Sequence, residues 1–585
     1  MQPTPPNFRL LRLLAAIPGG YLLSALAVSG IGAGLAWSGM ARAEAVALGG
    51  MLGLVLYPAL LLWGLRKSLA WLHTWAGVVL GGVLFAVFWT GSLIVFDREI
   101  DRWMMPDTRL PPAPRELSLD RIAQAVAPAL PAGASQWRVD LATERAPLLR
   151  FSYKAGAGED AQEGVRRLDP ARLAFLPEPG TEGASGFLFP FHYGLHLKWM
   201  DLGKWLVGAA GMAMLVLLVS GVIIHRKLFV QFFTFRPHKS LQRSSLDLHN
   251  LTGVLALPFH FVITLSGLVI FFSMYFPQAQ RGAYEGAKAK QAFTAEAYGK
   301  FARPKAGVPG TMASLDAMAA QAEQQWQGGQ PYFVRVWHPG DANSYVELRR
   351  SYAKDITMNL DQIYFDAASG AVLKRFEAGP VMTLQRAVSG LHFIQFEHWP
   401  LRWLYFLAGL SGCVLIGTGF LFWLEARRAR HAKHGLAGVR LVEALAAGSI
   451  TGLIVATLAW LAANRLLPPD ASLAGVTRAA LELWIFFLVW LACFVHAWGR
   501  RRAAWREQAW AICALAIACV ALNALSTGDH PVRAAARGMW AVAGIDMMLL
   551  AAAALAAFAG VRMRGGPASA PARPGRSGKA AEAVP

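Results

Sequence analysis

Apolar residues run along this chain in long blocks rather than at the alternating or three-to-four spacing of a soluble fold. Ten blocks reach the ~20 residues that cross ~30 Å of hydrocarbon. They are 13–37, 43–64, 73–96, 203–224, 250–274, 401–424, 441–463, 479–498, 506–525 and 537–560. The first follows Arg9 and Arg12 and contains Ala25-Leu26-Ala27, which imitates a signal peptide. Its length, and the second block directly after it, identify a true span instead.

Two long segments, 97–202 and 275–400, break the pattern. In the first, a helical run 117–130 precedes strand-like runs 135–142 and 147–154. In the second, a helical run 314–326 precedes strands at 332–338 and 344–350 and a hairpin over 361–376 that turns at Ser369-Gly370. Each is too short for a large core of its own. Two small α+β modules are expected, resting on the membrane part or on each other.

Composition agrees: 55% of the 585 residues are hydrophobic and 16% charged, too apolar for a soluble protein. The net charge of +20 is not a nucleic-acid footprint, because the basic residues cluster between spans: Arg66-Lys67, Arg226 to Arg243, Arg427 to Lys433, Arg500-Arg501-Arg502, and Arg562 onward. By the positive-inside rule both termini are cytoplasmic and the two long segments lie outside. Cys413, Cys493, Cys513 and Cys519 all fall within spans, as apolar filler rather than disulfides or a thiolate metal site. The end of the chain, 565–585, is expected to be disordered.

Residues 72–96 repeat in 248–272 without a gap. Leu72, His73, Gly77, Phe85 and Gly91 recur as Leu248, His249, Gly253, Phe261 and Gly267. Further on, Gly194-Leu195-His196 recurs as Gly390-Leu391-His392, and Ser220-Gly221 as Thr418-Gly419. Each unit runs span, outer segment, Gly-Leu-His, span. The expected organisation is a two-span module 1–66; a first repeat with spans 67–96 and 203–227 flanking the outer module 97–202; a second with loop and span 228–274, outer module 275–400 and span 401–430; four further spans over 431–564; and the tail 565–585.

The repeat places His196 and His392 at the outer face, and His73 and His249 at the cytoplasmic face. Ionisable residues in spans are costly and usually face a partner. Two neutral imidazoles facing each other between helices suit axial ligation of a b-type haem. Side-chain zinc or iron sites would want carboxylates or thiolates nearby, and a c-type haem needs a Cys-x-x-Cys-His that the chain lacks. His192 shares a helix face with His196. His260 lies eleven residues after His249, ~16 Å deeper at ~1.5 Å per residue, as a relay or a third ligand; its counterpart is Leu84. His225 sits at the cytoplasmic interface. His192, His260 and His225 thus stand as alternates. Gly77, Gly81, Gly82 and Gly91, like Gly409, Gly412, Gly417 and Gly419, give small-residue faces for close packing or for a flat macrocycle. Pro258 marks a break in its span. No Walker A or dinucleotide fingerprint occurs. Electrons would come from quinol or from a separate cytoplasmic donor.

The motifs 71–85, 194–199, 248–268 and 390–412 (beginning WLHTWAG, GLHLKW, LHNLTG and GLHFIQ) resemble the PepSY-associated transmembrane, or iron-regulated membrane, proteins over about 70–500. Residues 8–66 look like a two-span module found beside such proteins. The resemblance implies a bacterial inner membrane, two b haems, and reduction of ferric siderophores on the periplasmic side. It would give His196 and His392 the periplasmic haem and His73 and His249 the cytoplasmic one. A siderophore transporter without redox activity and a regulatory binding protein are the alternatives. The expected fold class is an all-α polytopic membrane protein with two small α+β PepSY-like periplasmic modules.

Overall fold

The computed structural model describes residues 6–114, 116–156, 161–225, 235–286, 288–434 and 436–563. The tail and the basic residues Arg226 and Lys227 lie outside them. Nine described helices are long and apolar enough to cross a membrane: Ala15–Trp37, Arg42–Gly64, Arg66–Ile94, Trp199–Ile224, Trp399–Lys433, Gly438–Leu466, Arg478–Arg500, Arg502–Thr527 and Trp540–Arg562. The pair Leu241–Leu255 and Leu257–Ile270, bent by 65°, is long and apolar enough only when its two pieces are taken together, and counted as one broken span it makes ten. The bend falls at Ala256, one turn before His260. Pro258 sits in the first turn of the second piece, where its missing N–H costs no helical bond. The chain is a multi-pass membrane protein.

The two polar segments do not form two separate modules. They build one eight-stranded antiparallel sheet in the order β4-β3-β2-β1-β5-β6-β7-β8. Here β1 is Ala134–Asp140, β2 Leu149–Ala155, β3 Gln162–Asp169, β4 Ala174–Phe175, β5 Pro331–Trp337, β6 Tyr345–Arg350, β7 Gln362–Asp366 and β8 Val372–Phe376. The halves join where β1 pairs β5, with Val139 opposite Val334. Pooling the halves removes two exposed edges and buries a shared layer of Val139, Phe151, Val334 and Phe365 under the helices Leu119–Val126 and Leu315–Gln325. Those helices cap each other. Ser118 Oγ donates to Asp316 at 2.6 Å and Ser314 Oγ to Asp120 at 2.6 Å, while the amides of Leu119 and Leu315 donate to the same two carboxylates. One sheet places both segments on the same side of the membrane, here the sheet side.

Four spans stand at the centre: Leu69–Ile94, Leu202–Ile224, the bent pair, and Trp399–Lys433. A buried ion cluster joins them to the sheet. Glu99 accepts from Arg145 and from the fully buried Arg402, whose guanidinium also lies 4.9 Å from the Phe96 ring. The Arg42–Gly64 helix packs against one flank, through Gly50 and Gly53 on the Phe272 and Phe276 rings. The last four spans pack against the other, around the buried Trp103 and Trp460.

Candidate functional site: two histidine-lined cavities

Between the four central spans lie two cavities, one above the other. The sheet-side cavity has a volume of about 450 Å³ and the one on the opposite side about 520 Å³. Both fall within the ~300–1,000 Å³ of small-molecule sites. Leu84 and Met214 line both and form the wall between them.

Two histidines face each other in each cavity. On the opposite side His73 and His249 have ring centroids 6.4 Å apart, with planes at 90°. On the sheet side His392 is paired with His192, at 5.9 Å and 32°. His196 is not a partner. It lines neither cavity, and its ring packs on Phe187 at 5.1 Å, towards Phe487 of the C-terminal spans. The helix Leu188–Gly194 carries His192 and stops at the left-handed cap Leu195, and His196, itself left-handed at φ 56°, is thrown beyond the helix end.

The repeat is kept by the contacts rather than by the Gly-Leu-His triplet. His192 Nδ1 meets the Val87 carbonyl at 2.9 Å, and His392 Nδ1 meets that of Ile263 at 2.8 Å. Val87 and Ile263 occupy equivalent repeat positions. A Cβ on Gly91 would lie 2.8 Å from His192 Cε1, and one on the equivalent Gly267 would lie 2.6 Å from His392 Cε1. The other pair follows the same plan. His249 Nδ1 meets the Leu415 carbonyl at 2.8 Å, and His73 Nδ1 meets Ser220 Oγ at 3.1 Å. Their rings lie over the equivalent Gly419 and Gly221, 3.2 Å from a Cβ built on either.

An Nδ1–H held by an oxygen leaves Nε2 with its lone pair, the tautomer and orientation of a metal-binding imidazole. Among the described residues none of these four Nε2 atoms hydrogen-bonds a protein group. Metal–imidazole bonds of ~2.0–2.1 Å to two opposed nitrogens put ring centroids about 6 Å apart, close to both spacings seen here. No three His, Cys, Asp or Glu residues gather into a bare-metal site among the described residues.

The remaining candidates lie elsewhere. His225 caps the Leu202–Ile224 helix and lines the rim of the opposite-side cavity beside Arg427. His260 is fully buried but lines neither cavity; Nε2 meets Ser411 Oγ at 3.2 Å and Nδ1 has no partner. His398 and His338 bind backbone carbonyls, and His496 binds Glu507.

A third and larger space, about 890 Å³, opens between sheet and membrane and shares Phe189 and Gln395 with the sheet-side cavity. Sequence reasoning missed it, because its walls come from six separated stretches of the chain, 98–108, 138–150, 165–189, 332–353, 395–397 and 469–479. Tyr332, Tyr352, Arg138 and Arg167 face it from the sheet, and Asp470 and Arg478 from the C-terminal spans. Burial pushes the Arg167 guanidinium below its usual range. It forms no ion pair among the described residues.

These features define a polytopic membrane protein with stacked histidine-lined cavities beneath an extramembrane sheet. The chain belongs to the PepSY-associated TM region family, which it matches over residues 70–426. It is also similar to a Pseudomonas aeruginosa protein described as uncharacterized protein PA4219. The two are 29% identical over 375 residues, covering 60% of this chain and 83% of the relative.

Proposed function

We propose that this protein is an inner-membrane di-haem oxidoreductase that delivers electrons to a ferric siderophore in the periplasm and so releases iron. The observation that carries the reading is the set of four imidazoles, each tied at Nδ1 and open at Nε2, facing in pairs across two apolar cavities. His192 and His392 would hold one haem, and His73 and His249 the other. Bound there, haem supplies a one-electron carrier in each half of the membrane. The chain's own residues do the rest. The carbonyls of Val87, Ile263 and Leu415 and the Ser220 hydroxyl orient the rings, and four glycines leave room beside them. Lys204 at the rim of one cavity, and Arg427 and His225 at the rim of the other, offer donors to carboxylate side chains of the cofactor. Apolar walls keep water out.

The basic loops support a periplasmic sheet. The 890 Å³ space beside the sheet-side cavity then holds the acceptor, with its guanidinium and phenol groups suited to an oxygen-rich chelate. One electron converts Fe(III) to Fe(II), which such ligands hold less tightly. The donor is a quinol or a separate cytoplasmic protein. The bent span at Ala256 favours a second reading, a siderophore transporter, since transport sites are built on broken helices. Against it, the residue beside the break, His260, is already bonded to Ser411 and lines no cavity.

The test uses dithionite-reduced protein in detergent, freed of excess reductant. On mixing with ferric siderophore its haem spectrum reverts and an Fe(II) chelator colours. Haem that stays reduced with every siderophore, together with siderophore uptake into liposomes lacking a donor, favours transport.

A further inference from the structure

Two modules lie outside the family region 70–426: the N-terminal hairpin and the last four spans. Each sends a buried carboxylate to the chain just ahead of a sheet-side histidine; the last four spans bury Asp546 and Asp529 as well, against Trp103 and Arg109. Glu44, on the Arg42–Gly64 helix, is 8% exposed. Its oxygens accept from the amides of Val381 at 2.5 Å and Met382 at 3.1 Å, the first turn of the helix Pro380–Phe393. A carboxylate there satisfies free amides and the helix dipole together. His392 sits in the last turn of that helix. The same hairpin presses Gly50 and Gly53 on Phe272 and Phe276, just beyond the Leu257–Ile270 helix that supplies the Ile263 carbonyl and Gly267.

Glu482, on Arg478–Arg500, is fully buried. It accepts from Thr181 Oγ1 and, at 3.0 Å, from Asn464 Nδ2. Arg478, which pairs with Glu482 at 3.2 Å, donates to the Pro179 carbonyl at 3.0 Å. Residues 179–181 lead directly into the short helices that deliver His192, and Phe187 and Phe191 of that stretch pack on Phe486, one turn from Glu482. Neither carboxylate lines a cavity.

We propose that Glu44 and Glu482 are positioning residues, through which the two flanking modules fix the helices that carry His392 and His192 and so set how the sheet-side imidazoles meet their cofactor. A buried carboxylate is costly without partners. These two carboxylates act on the chain just ahead of the two sheet-side histidines, whereas on the opposite side Glu443 accepts from Arg428, beyond the Leu415 carbonyl that holds His249. The inference rests on the haem reading for its cofactor, but the clamping itself can be read without haem.

The experiment takes the full chain in detergent with Glu44→Gln, Glu482→Gln and the corresponding Ala variants. Amide hydrogen exchange is followed by peptide, and the low-temperature electron paramagnetic resonance and potential of each ferric haem are recorded. Glu44 variants are expected to speed exchange roughly tenfold in 380–393 and Glu482 variants in 183–194. Both should shift the resonance and potential of the sheet-side haem and leave the other haem in place. The Gln variants, which keep an acceptor oxygen, should lie between wild type and Ala. Unchanged exchange and an unchanged sheet-side haem in the Ala variants would overturn the proposal, as would faster exchange spread evenly over all helices. Haem-free wild-type protein would remove the proposed function, while the exchange pattern would still decide the clamp.

Discussion

His192 and His392 face each other with ring centroids 5.9 Å apart, each held at Nδ1 by a carbonyl in the same position of the internal repeat, Val87 and Ile263. His196, which shares its Gly-Leu-His triplet with His392, points away. The account therefore predicts that His192→Ala and His196→Ala behave differently. His192→Ala should lose about half of the bound haem while still inserting, and His196→Ala should retain it. Haem content from the pyridine haemochrome decides. Loss in His196→Ala with retention in His192→Ala would restore the pairing by triplet.

The reason the triplet misleads is local. In the second copy the helix runs on through Phe393 and its left-handed cap is Ile394, so His392 stays on the helix. In the first copy Leu195 is itself the cap, and the histidine after it leaves the helix. Identical residues thus fall on opposite sides of a helix end, which spacing alone does not reveal. Legible in the sequence were nine spans and the apolar stretch of the bent pair, the repeated pairs Gly91–Gly267 and Gly221–Gly419, and the approach of His73 to His249. The joining of β1 to β5 was not, because it depends on contacts nearly two hundred residues apart. Nor was β3, whose charged near-edge run Gln162–Asp169 lacks an apolar alternation.

Gly267→Ala should act on the cofactor rather than on the fold. Its new Cβ would fall 2.6 Å from His392 Cε1, so the ring must move. The expected result is loss of the sheet-side haem, about half the total, with expression unchanged. Gly544→Ala, whose Cβ meets nothing within 4 Å, is the control. Equal haem in both variants would argue against close seating of the ring.

His260→Leu places at this site the residue of the equivalent repeat position, Leu84. The hydrogen bond to Ser411 is lost, but Ser411 keeps its bond to the Ala408 carbonyl. An apolar replacement of similar size should cost about 1 kcal/mol or less and leave haem content at the wild-type level. A fall in haem after this substitution would make His260 a ligand.

The sheet should loosen in acid. Burial works against ionisation of Asp120, but the hydrogen bonds from Ser314 and Leu315 outweigh it and hold the carboxyl below its usual range. The Arg303 guanidinium does the same for Asp366. A carboxyl depressed in the folded state contributes stability that is present above the unfolded value, about 3.9 for Asp, and is lost as pH falls through the folded value. Hydrogen exchange in 118–126 and 314–325 should therefore accelerate below about pH 4, and Asp120→Asn should flatten that response. Exchange independent of pH, after correction for intrinsic rates, would remove the cross-capping contacts as a source of stability.

The most direct measurement is the absorption spectrum and haem content of the purified full-length chain. The account predicts about two b-type haems per chain, with a Soret band and α-bands that sharpen on reduction, and about one haem left in either His73→Ala or His392→Ala. A folded, inserted protein that is colourless, or whose haem content is indifferent to all four of His73, His192, His249 and His392, would contradict it.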